Sequence, residues 1–209
     1  SRMTVRQAYT ELMAEGVLVR RPGLGTFVAG RKAHYGIAMP GGFTEETERR
    51  GLEPETRVVG VDEVRAPRDP AEALELEPGE VVYRIRRRHS VNRRPVDYAV
   101  CYVSRRLFPG LEKHDLSSLY RTFSDRYDTQ VVRAEESIEP RRATKEAAAA
   151  LDVPRGALVL FMRRTSYSER NHPVEYVELF LNSQQYRFVM EVRRDARTGV
   201  ETMTPVEVG

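Results

Sequence analysis

At 209 residues, with a net charge of +3 and 31% charged residues of both signs interspersed, the chain has the length for two domains and the surface of a soluble protein, and it lacks a polyanion-coating tail. A single cysteine, Cys101, excludes an internal disulfide framework, and no apolar run is long enough to span a membrane. The four histidines, His34, His89, His114 and His172, lack metal-ligand spacing, so neither a zinc site nor another cofactor is expected.

The chain opens on a helix. Val5, Ala8, Leu12 and Met13 recur at helical spacing and make one apolar face, while Arg2, Thr4 and Arg6 project on the polar side near the amino end. Gly16 ends it by tolerating a left-handed cap. Val17-Leu18-Val19-Arg20 and Thr26-Phe27-Val28 then form short strand-like runs around Arg21-Pro22-Gly23-Leu24-Gly25, a basic turn. Guanidinium groups at the start of a helix match guanine acceptors or phosphates in a major groove, a threonine hydroxyl bonds either, and a glycine lets backbone approach sugar and phosphate. The competing account of Arg2 and Arg6 is a solvated helix face.

Arg31 to Gly42 contains Gly36, Pro40, Gly41 and Gly42 with little apolar periodicity and reads as a flexible linker. Phe43 to Gly51 predicts a short helix, with Thr44 as N-cap, Glu45 and Glu46 in the first turn, arginines in the last and Gly51 ending it. Its free amides suit an anion, or form a cap with no ligand, in which case the two glutamates occupy the same positive end.

An internal repeat follows. Val58-Val59 through Pro67 matches Val131-Val132 through Pro140 at an offset of 73, Ala73-Leu74-Glu75-Leu76 matches Ala150-Leu151-Asp152-Val153 at 77, and Pro95-Val96-Asp97-Tyr98 matches Pro173-Val174-Glu175-Tyr176 at 78. Each unit reads as strand, short helix, strand, turn, strand, and two units joined make one antiparallel sheet with helices against it, an α+β domain. In the second strand of the first unit Arg84, Arg86 and Arg88 alternate and share a face, which is either wet or holds anions. Asp97 and Glu175 take equivalent places in the two hairpins, and Asp115-Leu116-Ser117-Ser118-Leu119-Tyr120 starts a helix between the units. Arginines and a carboxylate meeting from two halves suit a ligand with an anionic group at one end and hydroxyl or amino groups at the other.

Ser1 to Ala29 resembles the second half of the winged helix-turn-helix of the GntR family of bacterial transcription regulators. The resemblance rests on Ser1-Arg2-Met3-Thr4-Val5-Arg6-Gln7-Ala8, Ala14-Glu15-Gly16 and Gly23-Leu24-Gly25-Thr26-Phe27-Val28, in order and spacing. It implies DNA contacts at Arg2, Thr4, Arg6 and Gly23, and it departs from the family in lacking the two helices that normally precede the recognition helix. Phe43 to Val192 resembles the UTRA effector-binding domain of the HutC subfamily, of chorismate-lyase-like fold, through Phe43-Thr44-Glu45-Glu46, Arg86-Arg87-Arg88, Pro95-Val96, Phe108-Pro109-Gly110-Leu111, Ser118-Leu119-Tyr120, Pro173-Val174-Glu175-Tyr176 and Tyr186-Arg187-Phe188. That likeness implies a domain over 43–209, a DNA-binding part over 1–30 and a linker over 31–42. It further implies an effector site of Phe43, Thr44, Arg86, Arg88, Ser118 and Tyr120 around an anionic group, with Glu175 facing the rest of a phosphorylated sugar. Ala99 stands where many members have Glu, and Gln184 where many have Asp; other members answer to urocanate-like acids, fatty acids or phosphonates.

The expectation is therefore a cytoplasmic, ligand-responsive regulator, a repressor, that binds palindromic operator DNA as a homodimer and answers to a small anionic effector, a sugar phosphate or organic acid. Two alternatives differ in class. A small-acid-processing enzyme of lyase-like fold would use Glu175, Asp97, Arg86 and Arg88, yet no nucleophile with an adjacent base is readable. An effector-independent DNA-binding protein would gain no stability from any metabolite.

Overall fold

The computed structural model describes residues 2–14, 18–21, 25–28, 33–34, 41–49, 51–188, 190–194 and 201–205. It divides into two compact units, one of Ser1–Ile37 with Gln184–Gly209 and one of Ala38–Ser183. In the first unit α1 (Arg2–Ala14) is followed by β1 (Leu18–Arg21) and β2 (Gly25–Val28), an antiparallel hairpin that pairs Leu18 with Val28 and Arg21 with Gly25. A helix followed by a two-stranded hairpin is the order that the sequence predicts. Val5 on α1 is 58% exposed, whereas Leu12 is 36% exposed and Met13 is half-buried, so the apolar side of this helix is covered only toward its end. A further short strand, β3 (Ala33–His34), lies within the expected linker; the remaining linker residues before Gly41, among them Gly36 and Pro40, lie outside the described residues.

The second unit runs α2 (Phe43–Arg49), β4 (Pro54–Arg65), α3 (Arg68–Ala73), β5 (Val81–Val91), β6 (Arg94–Ser104), a single 3-10 turn at Leu111–Lys113, α4 (Leu119–Tyr127), β7 (Val131–Arg142), α5 (Lys145–Ala150), β8 (Leu158–Ser168) and β9 (Pro173–Leu181). The six strands form one antiparallel sheet in the order β4-β5-β6-β9-β8-β7. The repeat seen in the sequence is this symmetry: β4-α3-β5-β6 and β7-α5-β8-β9 meet along β6 and β9, where Val100 pairs with Glu178, its own counterpart 78 residues on. Turn chemistry is repeated too. Gly79 and Gly156, at φ of 84° and 72°, hold matching left-handed positions ahead of β5 and β8, where a side chain would be strained. Asn92 and Arg93, at φ of 50° and 63°, close the two-residue hairpin between β5 and β6.

The two sheet faces differ in what covers them. Tyr83, Ile85, Ala99, Cys101, Val103 and Val177 pack on one face beneath Phe108, Leu111, Leu119 and Phe123, with Phe108 and Phe123 stacked at 4.3 Å. On the other, Val82, Tyr102 and Tyr176 lie under Leu74 beside α3, and Tyr98, Phe161 and Phe180 lie under the alanines of α5. α2 begins at Phe43 because the Gly42 carbonyl already accepts from the Glu46 amide at 3.0 Å, which makes Gly42 and not Thr44 the capping residue. The Thr44 hydroxyl instead donates to the Ser117 carbonyl at 3.3 Å. Ser118 caps α4, its hydroxyl accepting from the Arg121 amide at 3.3 Å, within the segment 115–120 expected to start a helix.

Past β9 the chain returns to the first unit. β10 (Tyr186–Arg187) pairs in parallel with β3, and β11 (Met190–Arg194) and β12 (Glu201–Pro205) form an antiparallel hairpin.

Candidate functional site

The first turns of α2 and α4 converge over the sheet face that carries Tyr83 and Ile85, and between them lies a cavity lined by Phe43, Thr44, Glu45, Ser118 and Tyr120 above and Arg87, His89, Arg164 and Glu175 below. Its volume is about 40 Å³, space for a few waters. The fold places these groups in symmetric pairs. Arg87 on β5 and Arg164 on β8 are counterparts 77 residues apart, as are His89 and Ser166, while Asp97 on β6 corresponds to Glu175 on β9. Two helices that precede equivalent strands thus bring their amino ends to two equivalent arginines.

Charge in this cavity is buried and mostly paired. Arg87 is 8% exposed; its guanidinium donates to the Cys101 sulfur at 3.2 Å and lies 3.8 Å from Glu175. Burial works to lower the Arg87 pKa, but the neighbouring Cys101 and Glu175 outweigh it and hold the group above its ordinary value. Arg164 behaves likewise: burial opposes its charge, Tyr120 and Glu136 more than restore it, and one guanidinium nitrogen donates to the Gly41 carbonyl at 3.1 Å. The Tyr120 hydroxyl donates to Glu175 at 3.0 Å and sits 2.6 Å from the Ser166 hydroxyl, and burial followed by the Glu175 charge pushes its phenol far above the usual range. His89 Nδ1 lies 2.5 Å from Asp97, and its ring stacks on Phe43 at 4.3 Å. Cys101 is a buried strand residue whose thiol is pushed up to about 12 by burial, consistent with packing and not redox chemistry.

Several polar atoms in the cavity have no hydrogen-bond partner among the described residues: His89 Nε2, Glu175 Oε1, Arg87 Nε and Glu45 Oε2. Buried polar atoms in a folded protein are rarely left so, and the four in this cavity include a carboxylate oxygen from each of two elements and an imidazole nitrogen. The set offers a cation, a carboxylate acceptor and an imidazole nitrogen, chemistry that suits a ligand carrying an anion at one end and hydroxyl or amino groups at the other.

Of the site residues expected from the sequence, Phe43, Thr44, Ser118, Tyr120 and Glu175 come together here. Arg86 and Arg88 do not, which corrects the expectation. A strand alternates its side chains, so they lie with Arg84 on the opposite face, Arg84 and Arg86 sharing Asp62 at 3.1 and 2.9 Å and Arg88 pairing with Asp152 at 3.0 Å. Gly60 makes room there, since a Cβ on it would stand 2.5 Å from the Arg86 guanidinium. The missed residues are Arg87, His89 and Arg164. Two signals pointed to them: Tyr83 and Ile85 share their parity and mark the core side, and Arg87 repeats as Arg164. Among the expected DNA contacts, Thr4 and Arg6 are exposed on α1, Arg2 lies on α1 without a described side chain, and Gly23 is outside the described residues.

The UTRA domain family matches residues 49–187, and the family described as bacterial regulatory proteins, gntR family, matches residues 1–28. The HTH-type transcriptional repressor NagR of Bacillus subtilis (strain 168) is 31% identical over 190 residues, covering 90% of this chain and 78% of that protein. The histidine utilization repressor of Pseudomonas putida is also 31% identical over 190 residues, covering 90% of this chain and 75% of that one. The crystal structure of PhnF from Mycobacterium smegmatis shares the fold, with a TM-score of 0.71, 24% identity and coverage of 92% of this chain and 86% of that chain. No described helix is long and apolar enough to cross a membrane. The chain therefore belongs to the GntR family of bacterial regulatory proteins and carries a UTRA domain: it is a DNA-binding, metabolite-responsive transcription regulator and not an enzyme.

Proposed function

We propose that the chain is a cytoplasmic repressor that reads palindromic operator DNA as a homodimer through Arg2, Thr4, Arg6 and Gly23, and that a small anionic metabolite, a sugar phosphate or organic acid, releases it by entering the cavity between α2 and α4. The observation that carries this reading is the convergence of two symmetry-related arginines on one cavity, Arg87 buried 3.8 Å from the Glu175 carboxylate and Arg164 half-buried, together with the unpartnered polar atoms there. Ser118 and the first turns of both helices face the anionic group, with Phe43, Thr44 and Tyr120 around it, and Glu175 takes hydroxyl or amino groups of the remainder. Both relatives are named repressors, which favours repression as the direction of control. An effector shifts DNA binding only if it binds two arrangements unequally, and a cavity of about 40 Å³ that must enlarge to admit a metabolite supplies that inequality.

A thermal-denaturation screen of sugar phosphates and organic acids against the full chain tests this. One such class should raise the unfolding midpoint, as expected when ligand at about 100 times its Kd adds roughly 2.7 kcal/mol, and Ser118→Ala should cancel the shift. No response to any anion would favour an effector-independent DNA-binding protein.

A further inference from the structure

We propose that the Glu45 carboxylate is a resident occupant of the effector's anion position, which the effector's own anionic group must expel; this rests on the effector reading above. Glu45 is the third residue of α2, and its side chain crosses to the neighbouring helix. One carboxylate oxygen accepts from the hydroxyl of Ser118, the N-cap of α4, which in turn accepts from the Arg121 amide at 3.3 Å. The other oxygen is buried without a hydrogen-bond partner among the described residues, and it lies so near Gly42 that a Cβ there would stand 2.5 Å from it. A single carboxylate thus bridges α2 to the N-cap of α4, inside the cavity that also holds Arg87 and His89. Its neighbour Glu46 differs in this respect, being paired with Arg49 at 2.9 Å.

The cavity itself supplies the independent sign of a ligand. His89 is 1% exposed with Nε2 unpartnered, and Glu175 is 2% exposed with Oε1 lacking a hydrogen bond among the described residues. At about 40 Å³ the space is too small for a sugar phosphate, and a second anion a few ångströms from Glu45 would be repelled in so enclosed a place. Departure of Glu45 removes both obstacles and frees the Ser118 hydroxyl. It also disturbs the start of α2, where the Gly41 carbonyl is bonded to Arg164. Effectors are then selected by how well their anion replaces a carboxylate, so a neutral sugar gains nothing at this position.

The test is calorimetric titration of the full chain with inorganic phosphate, comparing the parent with Glu45→Gln and Glu46→Gln, each checked for folding by circular dichroism. Glu45→Gln is expected to bind phosphate about tenfold more tightly than the parent, a change of roughly 1.4 kcal/mol, and Glu46→Gln to bind as the parent does. Equal gains in both variants mean a general charge effect and overturn the proposal. Parent and Glu45→Gln binding phosphate equally, in a manner lost in Ser118→Ala, also overturns it while leaving the effector reading intact. Absence of phosphate binding in all three proteins overturns the proposal, and the effector reading falls only if the thermal screen of sugar phosphates and organic acids is negative as well.

Discussion

Arg87→Met is expected to abolish the response to the stabilising metabolite, lowering its affinity by roughly 10- to 100-fold, whereas Arg86→Met, one residue away, should leave that affinity unchanged. The contrast follows from strand geometry. Arg87 faces the cavity at 8% exposure beside Glu175, and Arg86 is bonded to Asp62 across the sheet. A hydrogen bond to a charged group is worth about 1.5–3 kcal/mol, which sets the size of the loss. Because Arg87→Met also strips Glu175 of its nearest cation, a second variant separates binding from folding. Arg87→Lys keeps the charge and loses the planar fork, and it should remain folded while binding the metabolite weakly. Affinities come from calorimetric titration, and a normal Arg87→Lys together with an impaired Arg86→Met would reverse the assignment.

The second large effect is on stability. Arg164→Met should destabilise the chain by about 3 kcal/mol in urea denaturation, because it leaves Glu136 charged in a site where the two side chains are only 18% and 11% exposed. The double variant Arg164→Met with Glu136→Leu should recover most of that loss, since apolar replacement of a buried pair is often nearly neutral. A double variant no more stable than Arg164→Met would mean that the bond to the Gly41 carbonyl, and not the ion pair, holds the structure.

How much of this was legible in the sequence depended on whether symmetry or parity carried the information. The repeat gave the strand-helix-strand-strand order of both halves and the joined antiparallel sheet, because matched turns such as Gly79 and Gly156 need the same left-handed backbone twice. It also made Glu175 the equivalent of Asp97, while the helix start at 115–120 between the units came from local capping residues. Parity within β5 was harder. Five of the six residues Arg84-Ile85-Arg86-Arg87-Arg88-His89 are basic, so a cationic row can be drawn on either face, and a slip of one residue turns every side chain over. The deciding facts were tertiary: Tyr83 and Ile85 are buried under Leu119 and Phe123, which assigns Arg87 and His89 to the helix-covered side. Thr44 was misplaced for a local reason, since Gly42 ahead of it satisfies the capping geometry without a side-chain bond. No pattern in the sequence announced that Glu45 would reach Ser118, because that contact joins helices 73 residues apart.

The most direct measurement is a crystal structure of the full chain with whichever metabolite most raises its unfolding midpoint. The account predicts the anionic group within hydrogen-bonding distance of Ser118 and Arg87, Glu175 on the rest of the ligand, and Glu45 displaced. A ligand bound instead on the opposite face of the sheet, among Arg84, Arg86 and Arg88, would contradict it.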